Sequence, residues 1–145
     1  MKKAHTALRN FQTLLTVLVL LGAPSVLHGK LVFTSTSPTE HPKKGIIQLK
    51  MRNKFSQPIA SVRATIFLMD EAGKVVGQKT QWVIGGIKDR PSLQPDKVVT
   101  YNFVVGMERP YASSKVIFNR IILADGKLAD PRHDIELSQN SDWAD

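Results

Sequence analysis

Two apolar stretches separated by one short turn decide the fold: residues 59–69, IASVRATIFLM, and residues 74–84, KVVGQKTQWVI. Within residues 62–68 every second side chain is apolar, and Arg63 and Thr65 lie between them. A period of two is typical of a β-strand with one buried face. The turn at residues 70–73 (DEAG) supplies a glycine where a tight connection needs a positive φ. The sequence therefore predicts a β-hairpin.

Stretches with the same period flank this hairpin on both sides. We expect a short strand at residues 31–33, longer strands at 45–53, 97–105 and 115–123, and a short closing strand at 127–129. Residues 35–44 are predicted to form a loop, because a residue that precedes a proline is disfavoured in helices and Pro38 and Pro42 interrupt the pattern. Trp82 is expected in or near the core.

Six to seven short strands and no amphipathic helix in the body of the chain predict an all-β fold. The strand lengths and turn spacing favour an immunoglobulin-like antiparallel β-sandwich, with a partly closed barrel as the alternative. The predicted organisation is a signal peptide over residues 1–29, the sandwich domain over 30–128, and a polar acidic C-terminal tail over 129–145. The length of 145 residues fits one ordinary domain.

The N-terminus has the pattern of an export signal. Lys2, Lys3 and Arg9 are followed by the apolar run FQTLLTVLVLLGA at residues 11–23. This run is shorter than the roughly 20 residues that span a bilayer, so it predicts a signal-peptide helix rather than a permanent anchor. Cleavage is expected after Ser25 or Gly29, and an uncleaved anchor remains the alternative.

The charge and the absence of cysteine restrict the cellular compartment and the kinds of site that the sequence can be expected to have. The formal net charge is +8, and without Lys2, Lys3 and Arg9 it is +5. The charge is uneven, since residues 30–124 carry +9 and residues 125–145 carry −4. The absence of cysteine excludes disulfides, thiolate zinc sites and a cysteine nucleophile. Export without disulfides favours a periplasmic or secreted bacterial envelope protein.

The hairpin also resembles a known family. Residues 66–70 (IFLMD), followed by residues 71–76 (EAGKVV), are similar to the strand end and turn of bacterial immunoglobulin-like modules of the FxLYD type. The resemblance extends over roughly residues 45–123, although Met69 stands where that motif has tyrosine. It implies an immunoglobulin-like sandwich found in envelope or extracellular proteins, and it implies no particular chemistry.

Enzymatic chemistry has little support in the sequence. No G-x-S-x-G motif occurs, and His41 and His133 are expected to lie in surface loops. A sequence cluster of acidic residues and one histidine is interpreted as part of a solvated tail, with an envelope hydrolase or metal-dependent enzyme as the alternative. We therefore predict no enzyme, no cofactor and no catalytic or metal-binding residues. The cluster comprises Asp125, Asp130, His133, Asp134 and Glu136.

A basic strand face is the one candidate binding site that the sequence offers. Lys50 and Arg52 share the outward side of the predicted strand 45–53, and Lys54 follows them. Such a face attracts anionic partners, although it also prevents edge pairing of strands. We expect an exported non-enzymatic interaction or structural module whose partner is an envelope protein or an anionic envelope polymer. No nucleic acid partner is predicted, since the export signal disfavours one, and membrane contact is expected only through the signal segment before cleavage.

Overall fold

The computed structural model describes residues 29–139, which fold entirely from strands and connecting loops. Two sheets, with strand orders β5-β2-β1-β7 and β4-β3-β6, form an arrangement consistent with a β-sandwich. The prediction of an all-β fold with six to seven strands is confirmed. The signal peptide predicted for residues 1–29 lies, apart from Gly29, outside the described residues. The strands are β1 Leu31–His41, β2 Lys44–Asn53, β3 Ile59–Met69, β4 Val75–Ile84, β5 Val98–Gly106, β6 Ser113–Leu123 and β7 Ile135–Leu137.

The hairpin predicted from residues 59–84 is confirmed as β3 and β4. Its turn is held by Asp70, whose carboxylate accepts hydrogen bonds from the backbone N–H groups of Ala72 (3.0 Å) and Lys74 (2.8 Å). Gly73 has a φ of 77°, a left-handed backbone conformation that residues with a side chain rarely adopt. An aspartate at the first turn position and a glycine before the next strand therefore close the hairpin.

The core lies between the two sheets. It is formed by the inward residues of β1 to β6, and the largest fully buried side chain is Phe103. Phe33 of β1 packs edge-on against Phe118 of β6, with ring centroids 4.9 Å apart, and Tyr101 of β5 donates a hydrogen bond to Gln81 of β4. β1 therefore packs over β6, and β5, an edge strand of the four-stranded sheet, packs over β4.

β1 is longer than the sequence indicates. Residues 35–41, predicted as loop, continue the strand and pair with β2, and only Pro42 and Lys43 turn the chain. Pro38 falls within the register shift between Thr36 and Thr39, where the missing N–H of proline removes no ladder hydrogen bond. The prediction failed because a proline at a bulge leaves the strand intact.

The chain continues the fold beyond residue 128. The closing strand expected at 127–129 is only a single bridge between Ile122 and Leu128, and β7 lies instead in the stretch predicted as an acidic tail. β7 runs parallel to β1, so the prediction of a wholly antiparallel arrangement is wrong at this pairing. Residues 124–134 carry the chain from one sheet to the other, and such a long connection permits parallel pairing.

A buried asparagine joins β2 to the long loop between β4 and β5. The side-chain amide of Asn53 donates hydrogen bonds to the carbonyls of Gln57 (3.0 Å) and Leu93 (2.9 Å), and its Oδ1 accepts one from the N–H of Phe55 (2.8 Å). Asn53 is fully buried. Within residues 29–139 no helix is long and apolar enough to cross a membrane.

Candidate functional site

The predicted basic patch lies on the outward side of β2. Lys50 and Arg52 alternate with the buried Leu49 and Met51, so both project from the sheet face opposite the core. Lys54 follows the strand end and is exposed. The structure therefore places the three predicted residues on one surface, in the middle of the four-stranded sheet rather than at its edge.

Asp96 neutralises part of this patch. Its Oδ1 lies 3.0 Å from a guanidinium nitrogen of Arg52 and 2.7 Å from Nζ of Lys54. Hydrogen bonds from Lys54 and then from Arg52 hold the pKa of the Asp96 carboxyl below its usual range. The aspartate has a φ of 63° and reaches the patch from the turn before β5. Two of the three predicted cations therefore already share a carboxylate.

The outward side of the three-stranded sheet carries a second cationic surface, which sequence reasoning missed. Arg63 of β3 stands directly opposite Arg120 of β6 on one side and Trp82 of β4 on the other. Both arginines are exposed, and among residues 29–139 neither guanidinium pairs with a carboxylate. We call the outward side of β4, β3 and β6 the arginine face.

A β-bulge shapes this face. The register shifts between Arg63 and Ala64, so that Asn119 and Arg120 both project outward from β6. Oδ1 of Asn119 accepts a hydrogen bond from the hydroxyl of Thr65 (2.8 Å), which lies 2.7 Å from the hydroxyl of Thr80. A polar row therefore joins the three strands beside the arginines.

Trp82 belongs to the arginine face and not to the core, contrary to the prediction. Its ring lies 5.9 Å from the guanidinium carbon of Arg63, within cation–π range. On its other side lies Gly86, where an added Cβ would overlap the indole ring. A register shift in the β3–β4 pair buries both Val83 and Ile84 and turns Trp82 outward, because a residue shares the face of its cross-strand partner.

Apolar side chains continue the arginine face toward the β3–β4 turn. Phe67 and Met69 are half-buried on the outward side of β3. Ile117 of β6 stands opposite Thr65 and is 38% exposed, and Lys115 stands opposite Phe67. The arginine face therefore has a cationic end at Arg63 and Arg120 and an apolar end near the β3–β4 turn. Lys115 adds one further cation at the apolar end.

Charge is segregated between strands and loops. Strands β2 to β6 contain no Asp or Glu, and all but two of the carboxylates of residues 29–139 lie in turns and connections. As a result, the outward surfaces of both sheets are cationic. The basic residues of these five strands are Lys44, Lys50, Arg52, Arg63, Lys79, Lys115 and Arg120.

A cavity of about 400 Å³ opens between the β4–β5 loop and β5. Its walls are largely apolar, with Val83, Leu93 and Val99 among them. The guanidinium carbon of Arg90 lies 4.8 Å from the centre of the Tyr101 ring, and Arg90 also donates a hydrogen bond to the carbonyl of Trp82. The cationic group of this cavity is thus engaged in fixing the loop.

Asp130, His133 and Asp134 of the acidic cluster share one turn, whereas Asp125 lies in the turn after β6 and Glu136 lies on β7. Both carboxylate oxygens of Asp130 accept hydrogen bonds from Arg132 (3.1 and 3.0 Å), which lower the Asp130 pKa to about 2. The carboxylate of Asp134 accepts a hydrogen bond from the backbone N–H of Asp130 (2.7 Å). Nε2 of the exposed His133 lies 4.0 Å from Oδ2 of Asp130. No group of three or more His, Asp or Glu in the part of the chain that the structure describes could hold a metal ion. The cluster positions β7.

No protein-family model matches this sequence, and no curated protein matches it. Among solved structures, the chain is similar to a glycosyl hydrolase family 2 member from Bacteroides cellulosilyticus, with a TM-score of 0.40 and 16% sequence identity. The similarity covers 68% of this chain and 14% of that one, so the chain spans about one seventh of the hydrolase. A likeness of this size carries no statement about activity.

Proposed function

We propose that this protein is an exported, non-enzymatic binding module of the bacterial cell envelope, periplasmic or secreted, with an immunoglobulin-like β-sandwich fold. The observation that carries the proposal is the segregation of charge: both sheet faces present Lys and Arg, and the strands β2 to β6 lack acidic residues. Such a surface attracts anionic partners and steers their approach. Because the N-terminus has an export pattern, those partners are expected in the envelope.

The immunoglobulin-like assignment has support from the hairpin. The stretch at residues 66–76 is similar to the strand end and turn of FxLYD-type modules. The turn is closed by Asp70 and Gly73, the two residue types that this motif places there. A fold does not by itself give a function, so the interaction role rests on the charged surfaces and not on the fold class.

The partner is an envelope protein with an acidic surface or an anionic envelope polymer. Contact with it is expected to include a large electrostatic component, because the cations of both faces are at least partly exposed. Electrostatic contacts of exposed groups weaken as salt increases. The bound state is therefore expected to be sensitive to ionic strength.

The test combines export and binding. The mass of the protein recovered from the periplasm or medium is expected to lack residues 1–25 or 1–29. The recovered protein is then titrated with fluorescent polyphosphate and fluorescent poly-glutamate at increasing salt. Binding of at least one polyanion that weakens with salt supports the proposal. Recovery with Met1 in place, or no binding of either polyanion at low salt, contradicts it.

A further inference from the structure

We infer that the arginine face is a docking site for an acidic protein segment that carries carboxylates beside apolar side chains. The inference rests on the proposed function as a binding module, and it adds the surface and the class of partner. The site consists of the Arg63–Arg120 pair, the neighbouring Trp82 and Asn119, and the apolar side chains that continue along β3 and β6.

The arginine pair is the first reason. Like charges placed directly opposite each other in a sheet destabilise it. Arg63 and Arg120 occupy such positions, and in residues 29–139 no acidic side chain compensates them. A carboxylate between the two guanidinium groups would accept charge-assisted hydrogen bonds from both. A bound acid therefore removes an electrostatic cost that the free sheet bears.

The hydrogen-bonding groups beside the pair are the second reason. The Oδ1 atom of Asn119 is already occupied by Thr65, which leaves the amide nitrogen of Asn119 as a donor. The indole N–H of Trp82 has no acceptor among the described residues. Guanidinium, amide and indole groups at this end all offer donors. The complementary group is an acceptor without protons, which an ionised carboxylate provides.

The apolar end of the arginine face favours a protein over a phosphate or sugar polymer as the partner. Phe67 lies four residues from Arg63 along β3, or about 13 Å at the rise of an extended strand. Phe67, Met69 and Ile117 are each only partly covered. Phosphate or sugar polymers supply charge without apolar groups for this end, whereas a polypeptide supplies both. Trp, Arg and Met are also the residue types enriched in protein interfaces.

The β2 patch is less suited to this partner. Arg52 and Lys54 already contact Asp96 at 3.0 and 2.7 Å, so an incoming carboxylate must compete with that aspartate. The register neighbours of Lys50 are Thr34 and Thr100, which offer little apolar surface. The structure thus favours the arginine face over the surface that the sequence singled out.

The experiment compares probes on the exported protein by fluorescence anisotropy at low salt. The probes are a random Glu–Tyr copolymer, poly-glutamate, polyphosphate and vesicles containing phosphatidylglycerol. The variants are R63Q/R120Q, K50Q/R52Q and, as a control with the same loss of charge at the β1–β2 turn, K43Q/K44Q. Thermal unfolding of every variant confirms that it is folded, and R63K/R120K tests whether guanidinium geometry matters.

We expect the Glu–Tyr copolymer to bind more tightly than poly-glutamate or polyphosphate. R63Q/R120Q should weaken this binding at least about tenfold, as the loss of two charge-assisted contacts implies. K43Q/K44Q should change it less than about twofold. Equal loss in K50Q/R52Q and R63Q/R120Q, or preference for polyphosphate or vesicles, overturns the inference while leaving the proposed function intact. Failure of every polyanion to bind overturns both.

Discussion

The side-chain amide of Asn53 donates a hydrogen bond to the carbonyl of Leu93, 40 residues further along the chain. This bond fixes the β4–β5 loop against the end of β2. Leu93 also exchanges backbone hydrogen bonds with Ile59 at 2.9 and 3.0 Å. The start of β3, the end of β2 and the loop are therefore tied together at one buried point.

Replacing Asn53 with alanine should destabilise the domain strongly. The change leaves the N–H of Phe55 and the carbonyl of Leu93 without their side-chain partner in a buried setting. The expected loss in the free energy of unfolding is about 3 kcal/mol. Urea denaturation monitors it, and Asn102→Ala serves as the control, since Asn102 is an exposed amide on β5. Equal midpoints for the two variants would contradict the role of Asn53.

Gly86 should be required for the position of Trp82. The Cβ of an alanine at Gly86 would clash with the indole ring, and the φ of 76° there would strain its backbone. At Gly126 the Cβ would point into open space, so only the φ of 83° would cause strain. We expect Gly126→Ala to cost about 1 kcal/mol and Gly86→Ala about 3 kcal/mol. The measurement is the unfolding free energy in a Trp143→Phe background, where the emission of Trp82 reports its environment. An unchanged emission spectrum in Gly86→Ala would argue against the contact.

Removing the Asp96 carboxylate should strengthen polyanion binding at the β2 patch. Asp96→Asn releases Arg52 and Lys54 without straining the backbone, since asparagine tolerates the φ of 63°. We expect the affinity for polyphosphate to rise about twofold to fivefold at low salt. The matched control is Asp89→Asn, an equal change of charge in the same loop. If both variants gain equally, net charge rather than the patch is responsible.

Asp130 should make stability depend on pH in the acid range. Its pKa is held at about 2 by hydrogen bonds from Arg132, against an ordinary value of 3.8. Because the folded pKa is the lower one, the stabilisation is present above pH 3.8 and is lost as the pH falls toward 2. The difference in urea midpoint between the wild type and Asp130→Asn should therefore be largest near neutral pH and should shrink below pH 3.8. A difference independent of pH would refute this assignment.

The central hairpin could be predicted because its information is local. The alternation over residues 62–68 and the glycine in the turn both lie within one short stretch, and β3 and β4 follow from them. The same holds for β5, whose buried residues Phe103 and Val105 alternate with exposed ones. Periodicity is reliable where each strand buries one face along its whole length.

The arginine face could not be predicted, because it depends on register. Arg63 is visible as an outward residue of β3, but its pairing with Arg120 requires knowing which residues of β6 stand opposite and where the bulge falls. Trp82 was misplaced for the same reason, since a register shift reverses the alternation near the end of β4. β7 has only three residues, and its pairing with β1 is set by a distant partner.

The parallel pairing of β7 with the beginning of β1 has a consequence for the timing of folding. Lys30 and Glu136, which meet in an ion pair at 3.0 Å, are 106 positions apart in the chain. β1 is therefore synthesised long before β7, its partner in the described part of the chain, and such distant contacts form slowly. Until then the start of β1 remains an open edge. Completion of the four-stranded sheet is therefore a late step of folding, and before it the exposed edge is accessible to proteases and to pairing with other chains.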